Sequence, residues 1–382
     1  MTTPKQVPIM MPLLGEEEQN AAAEAIASGW VAQGPRVAEF ERCFADQLGV
    51  DHAVAVSSCT TALHLALVVA GVVPGDEVIV PSLSFIATAN VVRHAGAEPV
   101  FADVDLTTQN LTPEIVEDAI TPATRAVIVV DQAGMPADVT AIRAVCDPRG
   151  IVVVEDAACA IGSTYHGRAA GAAAQVAAYS FHPRKIVTTG EGGMVVTDDA
   201  AWADRLALLR QHGMSISAAD RHAAGSAPLI EQYLEVGFNY RMTDIQAAVG
   251  IVQLGRLDEV VTRRRLLAQR YRDLLGDLDV LLPSDPAWGT TNYQSFWVLL
   301  PDELTHERNS IMTEMGAAGI STRRGIMAAH LEPAWKGHPH PPLPVTERLT
   351  HGSIILPLFH QLSDDDQERV AVALRDALEA RR

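Results

Sequence analysis

Short apolar runs alternate with helical patterns along the first half of the chain, and this alternation constrains the possible folds more than any other feature. Five runs are predicted to be strands, at residues 53–57, 77–81, 126–131, 151–156 and 177–181. Most are apolar throughout, which is typical of strands covered on both faces of a largely parallel sheet. Helical patterns lie between them, for example at 61–71 and at 113–120, where Thr112 and Pro113 form a helix start. The alternation predicts an open α/β sheet.

The pattern changes after about residue 245, which predicts a large domain over residues 1–245 and a smaller C-terminal domain over 246–382. One long amphipathic helix is predicted at 244–275. The three arginines at 263–265 are interpreted as part of its solvated face rather than as a nucleic-acid patch.

Three further segments of the C-terminal half have recognisable patterns. A strand is predicted at 294–301, a helix near 305–318, and a last helix from Ser363, with Asp366 in the capping-box position. The stretch at 213–230 is rich in Gly, Ser and Ala, and it is predicted to be a mobile lid.

The charge of the chain limits the choice of partner. Lys and Arg number 29 against 47 Asp and Glu, a formal net charge of −18. This excess repels a phosphate backbone, so small molecules are predicted as partners rather than nucleic acid. No apolar run is long enough for a signal peptide or a membrane span, and the four dispersed cysteines suit neither a zinc site nor a disulfide framework. A cytoplasmic enzyme is therefore expected.

Two polar residues lie at predicted strand ends. Asp156 closes the run I-V-V-V-E-D, and Lys185 follows A-A-Y-S-F after H-P-R. Ligands of open parallel sheets gather at the carboxyl ends of strands, so the two residues are candidates for one site. Taken singly, the acid could be a helix cap and the lysine a solvated side chain.

A third element is S-S-C-T-T at 57–61, which joins a strand directly to an apolar helix. Hydroxyls and free amides at a helix N-terminus form a ready anion site, although simple N-capping is the alternative. Neither G-x-x-x-x-G-K-[ST] nor a G-x-G-x-x-G after a strand is present, so a nucleotide loop is not indicated.

An anion cup, a carboxylate and a lysine together meet the chemical needs of pyridoxal 5'-phosphate. The lysine amine forms a Schiff base with the cofactor aldehyde, and the carboxylate keeps the pyridine nitrogen protonated so that the ring accepts electrons. Burial, or a nearby cation such as Arg184, is expected to lower the pKa of the Lys185 amine and make it a better nucleophile.

The segment S-F-H-P-R-K-I-V-T-T-G-E-G-G-M at 180–194 resembles the Schiff-base segment of the DegT/DnrJ/EryC1/StrS sugar aminotransferases. The likeness runs over roughly residues 10–375. Other segments resemble that family in the same order, at 34–41, 61–67, 74–82, 87–92, 96–105, 153–158 and 237–248. The resemblance implies the aspartate-aminotransferase fold (PLP fold type I): a mostly parallel sheet with helices on both faces, followed by a small α/β domain.

The resemblance also implies roles for individual residues. Lys185 would be the Schiff-base lysine and general base, and Asp156 would hold the pyridine nitrogen. Phe85 would lie against the cofactor ring, or simply pack in the core. The phosphate would be bound by Thr60, by the amides of Cys59 and Thr61, and by Ser180.

Three further residues are assigned by the same resemblance. Asn239 would reach a phosphate in the partner subunit, which implies a homodimer with a shared site. Arg241 is a candidate for the donor carboxylate, with an ion pair to Asp244 as the alternative. His330 would lie near the substrate entrance.

The sequence departs from the family pattern at three positions. Cys59 stands where glycine is usual, and its side chain is expected to crowd the phosphate cup. Cys159 stands where Gln or His is usual, and because a thiol is a weak donor we expect a weaker hydrogen bond near the ring hydroxyl of the cofactor. Asp131 replaces a usual His, a change that could alter substrate choice.

Histidines in the chain are not expected to bind a metal. His182 is interpreted as a packed neighbour of the lysine. His338 and His340 flank prolines in a loop without an acidic or cysteine partner at ligand spacing.

The resemblance implies transamination from L-glutamate or glutamine to a keto-sugar. A nucleotide-linked 4-keto-6-deoxysugar is expected, because the T-T-G-E-G-G segment after Lys185 resembles 4-keto members. A keto-cyclitol aminotransferase of antibiotic assembly and a non-catalytic PLP-binding regulator remain as alternatives. The family's dehydrating members have histidine in place of the lysine, and Lys185 argues against that reaction.

Overall fold

The computed structural model describes residues 5–216 and 230–381. Its strands are β1 (His52–Val56), β2 (Glu77–Pro81), β3 (Glu98–Ala102), β4 (Thr124–Val130), β5 (Val152–Asp156), β6 (Thr164–Tyr165), β7 (Arg168–Ala169), β8 (Val176–Ser180), β9 (Gly193–Thr197), β10 (Gly289–Thr290), β11 (Phe296–Leu299), β12 (Arg323–Arg324) and β13 (Ser353–Leu356). Its α-helices are α1 (Glu16–Ala27), α2 (Pro35–Leu48), α3 (Cys59–Val69), α4 (Ala87–His94), α5 (Pro113–Ala119), α6 (Val139–Cys146), α7 (Ala200–Leu209), α8 (Asp244–Gly255), α9 (Leu257–Leu275), α10 (Arg308–Ala317), α11 (Pro344–Gly352) and α12 (Asp364–Glu379).

Seven strands form the main sheet in the order β1-β9-β8-β5-β4-β2-β3. The five strands from β3 to β8 are parallel, and only β9 runs antiparallel to its neighbours β8 and β1. The central strands are buried on both faces, as the unbroken apolar runs predicted. All five predicted strands are present within two residues of their predicted ends. The mostly parallel α/β sheet is therefore confirmed.

Hydrophobic cores lie on the two faces of this sheet and in a third, C-terminal layer. Helix α3 packs on one face and α2 with α8 on the other. The third core is built from α9, α10, α12, β11 and β13, and Val7 joins it from the N-terminus. Helix α8 thus packs with the sheet while α9 reaches the third core. We keep the division near residue 245 as a proposal.

The predicted single helix at 244–275 is wrong, because it is broken between α8 and α9 at Arg256, whose φ is −100° and ψ is 1°. Here the Arg256 guanidinium pairs with Glu17 and Glu18 of α1. The ion pairs anchor the break to the neighbouring helix.

The predicted solvated face at 263–265 is also wrong for its middle residue. Arg264 is buried, and its guanidinium donates to the carbonyl oxygens of Tyr293 and Gln294 at 2.8 Å. Burial lowers the pKa of Arg264 to about 10. Three-residue charge runs do not reveal which arginine turns inward, because the helix rotates each one to a different face.

Predicted helix starts are confirmed at Thr112 and Ser363, whose side chains accept from the amides of Ile115 and Asp366. Most of the predicted lid at 213–230 lies outside the described residues. Within the described ranges, each helix is too short or too polar to reach across a lipid bilayer.

Candidate active site

Asp156 and Lys185 lie at the same edge of the main sheet. Asp156 is the last residue of β5, and its register partner Ala178 belongs to β8, the strand that leads to Lys185. Asp156 is 5% exposed. Burial raises the pKa of its carboxyl group, and the Lys185 charge and a hydrogen bond from Thr88 offset part of that rise. A buried carboxylate of this kind favours a cationic partner, such as a protonated pyridine nitrogen.

Lys185 directs its amine at a sulfur atom. Its Nζ donates to Cys159 Sγ at 3.0 Å. Burial lowers the pKa of Lys185, but the nearby Cys159, Cys59 and Asp156 outweigh burial, so the net pKa is raised. The expected lowering is therefore wrong for the protein without cofactor, because the hydrogen bond to Cys159 and the charge of Asp156 stabilise the ammonium form.

The N-terminus of α3 has donors free for an anion. The Ser58 side chain caps the helix by accepting from Thr61 N at 3.2 Å, so the Thr61 amide is already used. The amides of Cys59 and Thr60 have no acceptor among the described residues. A Cβ at Gly193 would lie 2.5 Å from the Ser58 carbonyl, so glycine there lets β9 approach the helix start. Two free amides at a helix N-terminus suit a phosphate.

The side chains of Cys59 and Ser180 border this helix start. Cys59 Sγ donates to Asp156 Oδ1 at 3.9 Å, so the thiol contacts the carboxylate. Burial, and then the Asp156 charge, raise the pKa of Cys59 well above its usual value. Ser180 is the last residue of β8, and its Oγ accepts from His182 N at 3.4 Å. Cys59 therefore enters the site as a neutral thiol.

An aromatic ring and two hydroxyls come from the segment that leads into α4 and from the first turn of that helix. Phe85 is 64% exposed, so the core-packing alternative is wrong and the ring is free to lie against a ligand. Ser84 Oγ lies 2.7 Å from Thr88 Oγ1, which donates to Asp156 Oδ2 at 3.0 Å. Sequence reasoning assigned no role to Ser84 or Thr88, although Thr88 lies in A-T-A-N, a segment that resembles the family.

Two amides just before β11 hold the Lys185 and Cys159 loops. Gln294 Nε2 donates to Arg184 O at 2.6 Å, and its Oε1 accepts from Ile186 N at 3.2 Å. Asn292 Nδ2 donates to Cys159 O at 2.8 Å. Neither amide was predicted, and no local sequence signal could have found them, because Gln294 lies 108 residues from Ile186.

A cavity of about 220 Å³ opens beside Lys185 and Cys159. It is lined also by Arg184, Gln294 and Arg323. Burial, and then the Arg184 charge, lower the pKa of Arg323. Neither side chain has an acidic partner in the described part of the chain. The cavity therefore offers two unpaired cations next to the lysine.

Arg241, a residue predicted to contact the substrate, does not line the cavity beside Lys185. Arg241 does not pair with Asp244 in the described structure, so that alternative is wrong. Asp244 instead accepts from the amides of Gly34, Arg36 and Val37 and caps α2. Arg241 forms a backbone bridge to Val56.

His330 is a buried residue whose side chain is 1% exposed. Its Nδ1 lies 2.7 Å from Ser82 Oγ, and burial lowers its pKa. It does not line the cavity beside Lys185. The expected position near the substrate entrance is therefore not supported, because the ring is enclosed by its neighbours.

Asn239 and Asp131 differ in solvent exposure. Asn239 is exposed and pairs through its backbone with Gln211. Asp131 is 0% exposed beside Glu155, so it cannot touch a substrate directly.

The histidines make local hydrogen bonds. His182 Nδ1 accepts from Arg184 N at 3.2 Å, and His338 Nε2 lies 2.8 Å from Pro99 O. Over residues 5–216 and 230–381, no group of three His, Cys, Asp or Glu side chains could hold a metal.

The set of donors fits pyridoxal phosphate. A lysine amine, a buried carboxylate and a helix start with two free amides lie along one edge of the sheet, with an exposed aromatic ring beside them. These groups match the aldehyde, the pyridine nitrogen, the phosphate and the ring face of the cofactor.

Comparison with known proteins agrees with this fit. The model of the DegT/DnrJ/EryC1/StrS aminotransferase family matches residues 12–375. The aminotransferase TlmJ from Streptoalloteichus hindustanus is 38% identical, with TM-score 0.90 over 98% of this chain and 99% of that chain. DesI, solved in the presence of its TDP-sugar product, is 36% identical, with TM-score 0.88 over 100% of this chain and 96% of that chain.

A putative sugar aminotransferase from Streptococcus pneumoniae, solved in its PLP form, is 27% identical. Its TM-score is 0.91 over 98% of this chain and 99% of that chain. The predicted fold type I and the predicted cofactor, pyridoxal phosphate, are thereby confirmed.

Proposed function

Because the chain belongs to the DegT/DnrJ/EryC1/StrS aminotransferase family, we propose that it moves an amino group from L-glutamate or L-glutamine to a nucleotide-linked 4-keto-6-deoxysugar. Its class, a PLP-dependent sugar aminotransferase, follows from the family and from neighbours such as TlmJ and DesI. The donor, the nucleotide and the position of the ketone are our proposal.

The observation that carries the proposal is the pair of unpaired guanidinium groups beside Lys185. Arg184 and Arg323 line one cavity with the lysine and lack acidic partners among the described residues. Guanidinium forks bind carboxylates and phosphates, so both the amino donor and a sugar diphosphate suit this cavity. DesI, which resembles this chain over its whole length, was solved with a TDP-sugar. An anionic substrate pair therefore fits the charges of the site.

The roles of the site residues follow from their positions. When bound, pyridoxal phosphate supplies an electron sink for the bond that breaks at the substrate carbon. Asp156 would hold the proton on the pyridine nitrogen, and Thr88 would fix the orientation of that carboxylate. Lys185 would carry the proton between substrate carbon and cofactor. The free amides at the start of α3, with Thr60 and Ser180, would hold the phosphate.

A homodimer is part of the proposal, since several large apolar side chains are exposed in the single chain. They are Phe85 at 64%, Ile230 at 85%, Tyr233 at 65%, Leu234 at 59% and Val236 at 91%. Four of them lie within residues 230–236, and exposed Asn239 comes three residues after Val236. Clusters of exposed apolar residues mark protein interfaces. A second copy of the chain would cover these side chains. Asn239 of each subunit would then reach the cofactor phosphate bound in the other subunit.

Borohydride reduction of the purified holoprotein tests the first half of the proposal. The chain has three lysines, Lys5, Lys185 and Lys336, so a fixed cofactor is easily assigned by peptide mass. We expect the label on Lys185 alone. The Lys185→Ala variant should remain folded, by circular dichroism, and lose turnover. Lys336→Ala, at an exposed position, is the matched control and should keep both the label and turnover.

A donor and acceptor screen tests the second half. L-Glutamate or L-glutamine should remove the visible absorbance band of the holoenzyme, and a TDP-linked 4-keto-6-deoxysugar should restore it. Restoration by a keto-cyclitol instead would assign the other aminotransferase class. A spectrum unchanged by every donor would contradict catalysis and favour a regulator.

A further inference from the structure

The contact between Lys185 and Cys159 joins two reactive side chains inside one cavity. Lys185 Nζ and Cys159 Sγ lie 3.0 Å apart, and both line the cavity of about 220 Å³. A molecule as small as a peroxide can enter a cavity of this volume. The pair is therefore both in contact and reachable.

The backbone on each side of this contact is fixed by a single short segment. Asn292 Nδ2 donates to Cys159 O at 2.8 Å, and Gln294 Nε2 donates to Arg184 O at 2.6 Å. Asn292 Oδ1 also accepts from Gln294 N at 2.7 Å, which links the two amides. Because one segment holds both loops, the sulfur and the amine keep their relative position.

The second cysteine of the site does not compete for this chemistry. Burial, and then the charge of Asp156, raise the pKa of the Cys59 thiol well above its usual value. A thiol that stays protonated is a poor nucleophile and a poor partner for disulfide formation. Lys185 is thus the nucleophile in direct contact with an oxidised Cys159.

We propose that Cys159 is an oxidation site at which peroxide leads to a covalent sulfur–nitrogen bond with Lys185. In the first step the Cys159 sulfur attacks peroxide, an S–O bond forms, the O–O bond breaks, and water leaves. In the second step the Lys185 ammonium gives up a proton to solvent, and the resulting neutral amine attacks that sulfur. An N–S bond forms, the S–O bond breaks, and the hydroxyl leaves as a second water with the amine proton. The product is a sulfenamide that a thiol reductant reverses.

The form of the cofactor decides whether this reaction is open. With pyridoxal phosphate bound, Lys185 is covalently engaged with the cofactor aldehyde and cannot attack sulfur. With pyridoxamine phosphate bound, the Lys185 amine is free. The modification is therefore confined to the half of the catalytic cycle in which the cofactor is pyridoxamine phosphate. The cross-link itself requires only the contact, whereas its effect on turnover rests on the proposed role of Lys185.

The test uses the full-length protein loaded with pyridoxamine phosphate, treated with hydrogen peroxide, alkylated and digested for mass spectrometry. We expect a peptide pair joining Cys159 to Lys185, lighter than its parts by two hydrogens and released by dithiothreitol. The same treatment of protein loaded with pyridoxal phosphate should give at most about one tenth of that yield of cross-linked peptide. Oxidation of Cys159 to sulfinic acid without a link, or a Cys59–Cys159 disulfide, would overturn the proposal.

Variants separate the pair from its surroundings. Lys185→Arg keeps the positive charge but removes the lysine amine. It should therefore lose the link and leave a sulfenic acid on Cys159 that dimedone traps. Cys59→Ser and Cys43→Ser should both retain the link. A link that survives Lys185→Arg, or one that disappears in Cys59→Ser, contradicts the inference. Failure of the link with normal borohydride labelling of Lys185 would reject the inference and leave the proposed function standing.

Discussion

The Thr88 hydroxyl donates a hydrogen bond of 3.0 Å to Asp156 Oδ2, and Ser84 Oγ lies 2.7 Å from the same hydroxyl. The bond stabilises the ionised form of a carboxyl group whose pKa burial has raised. Thr88 therefore helps to keep Asp156 charged at neutral pH, which its proposed role at the pyridine nitrogen requires.

Thr88→Val should shift the acidic limb of the kcat/KM profile to higher pH by roughly half a unit to one unit. Without the hydroxyl donor the pKa of Asp156 rises further, so the carboxylate takes up a proton at a higher pH. Rates measured between pH 5 and 9 check this. Ser84→Ala should give a smaller shift in the same direction, and a limb that stays in place or moves to lower pH would refute the role of Thr88.

Asn292→Ala should lower the free energy of unfolding by about 2–4 kcal/mol. Asn292 is 0% exposed and donates to Cys159 O and Ile161 O, so its loss leaves two buried carbonyls without a partner. Urea unfolding followed by circular dichroism gives the measurement. The control is Asn309→Ala, at an exposed position beside Arg308, which should cost less than about 0.5 kcal/mol. Equal effects of the two variants would contradict the role of Asn292 in holding the Cys159 loop.

Asp131→Asn should flatten the dependence of stability on pH. Asp131 and Glu155 are buried together, and Asp131 Oδ2 and Glu155 Oε2 have no partner among the described residues. Burial raises the pKa of Asp131 well above its usual range and that of Glu155 to about 7. An acid whose pKa is raised in the folded state contributes its full stabilisation of the fold below its unfolded pKa of about 4. That contribution is lost as the pH rises to about 7.

An amide at position 131 provides the donor without a proton that can be lost. The variant should therefore lose less free energy of unfolding than the wild type between pH 5 and 8. Parallel urea titrations over this range make the comparison. A variant with an unchanged slope would show that Asp131 and Glu155 do not set the pH dependence of stability.

Val236→Asp should convert the proposed dimer to a monomer. The side chain is 91% exposed in the single chain, so a charge costs the monomer little but would be buried against a second copy. Light scattering after gel filtration should give a mass near 40.9 kDa instead of twice that value. The control is Val372→Asp on α12, which is 55% exposed and should stay dimeric. A monomeric wild type would contradict the dimer.

The sequence by itself determined five of the seven strands of the main sheet and the two ends of the candidate site. Its strands are continuous apolar runs, and such runs carry their own signal because a strand buried on both faces excludes charge along its whole length. Asp156 and Lys185 were identifiable because Asp156 closes one such run and Lys185 follows another after only a few residues. The helix start at Cys59 was identifiable for the same reason, as its hydroxyls stand between a strand and an apolar helix.

Only the tertiary structure decided how these residues influence each other. Asn292 and Gln294 reach the loops of Cys159 and Lys185 from far along the chain, and no local pattern encodes such a contact. The raised pKa of Lys185 and the buried Arg264 have the same origin. Burial and charge proximity depend on which distant segments meet in space, and chain spacing alone does not carry that information.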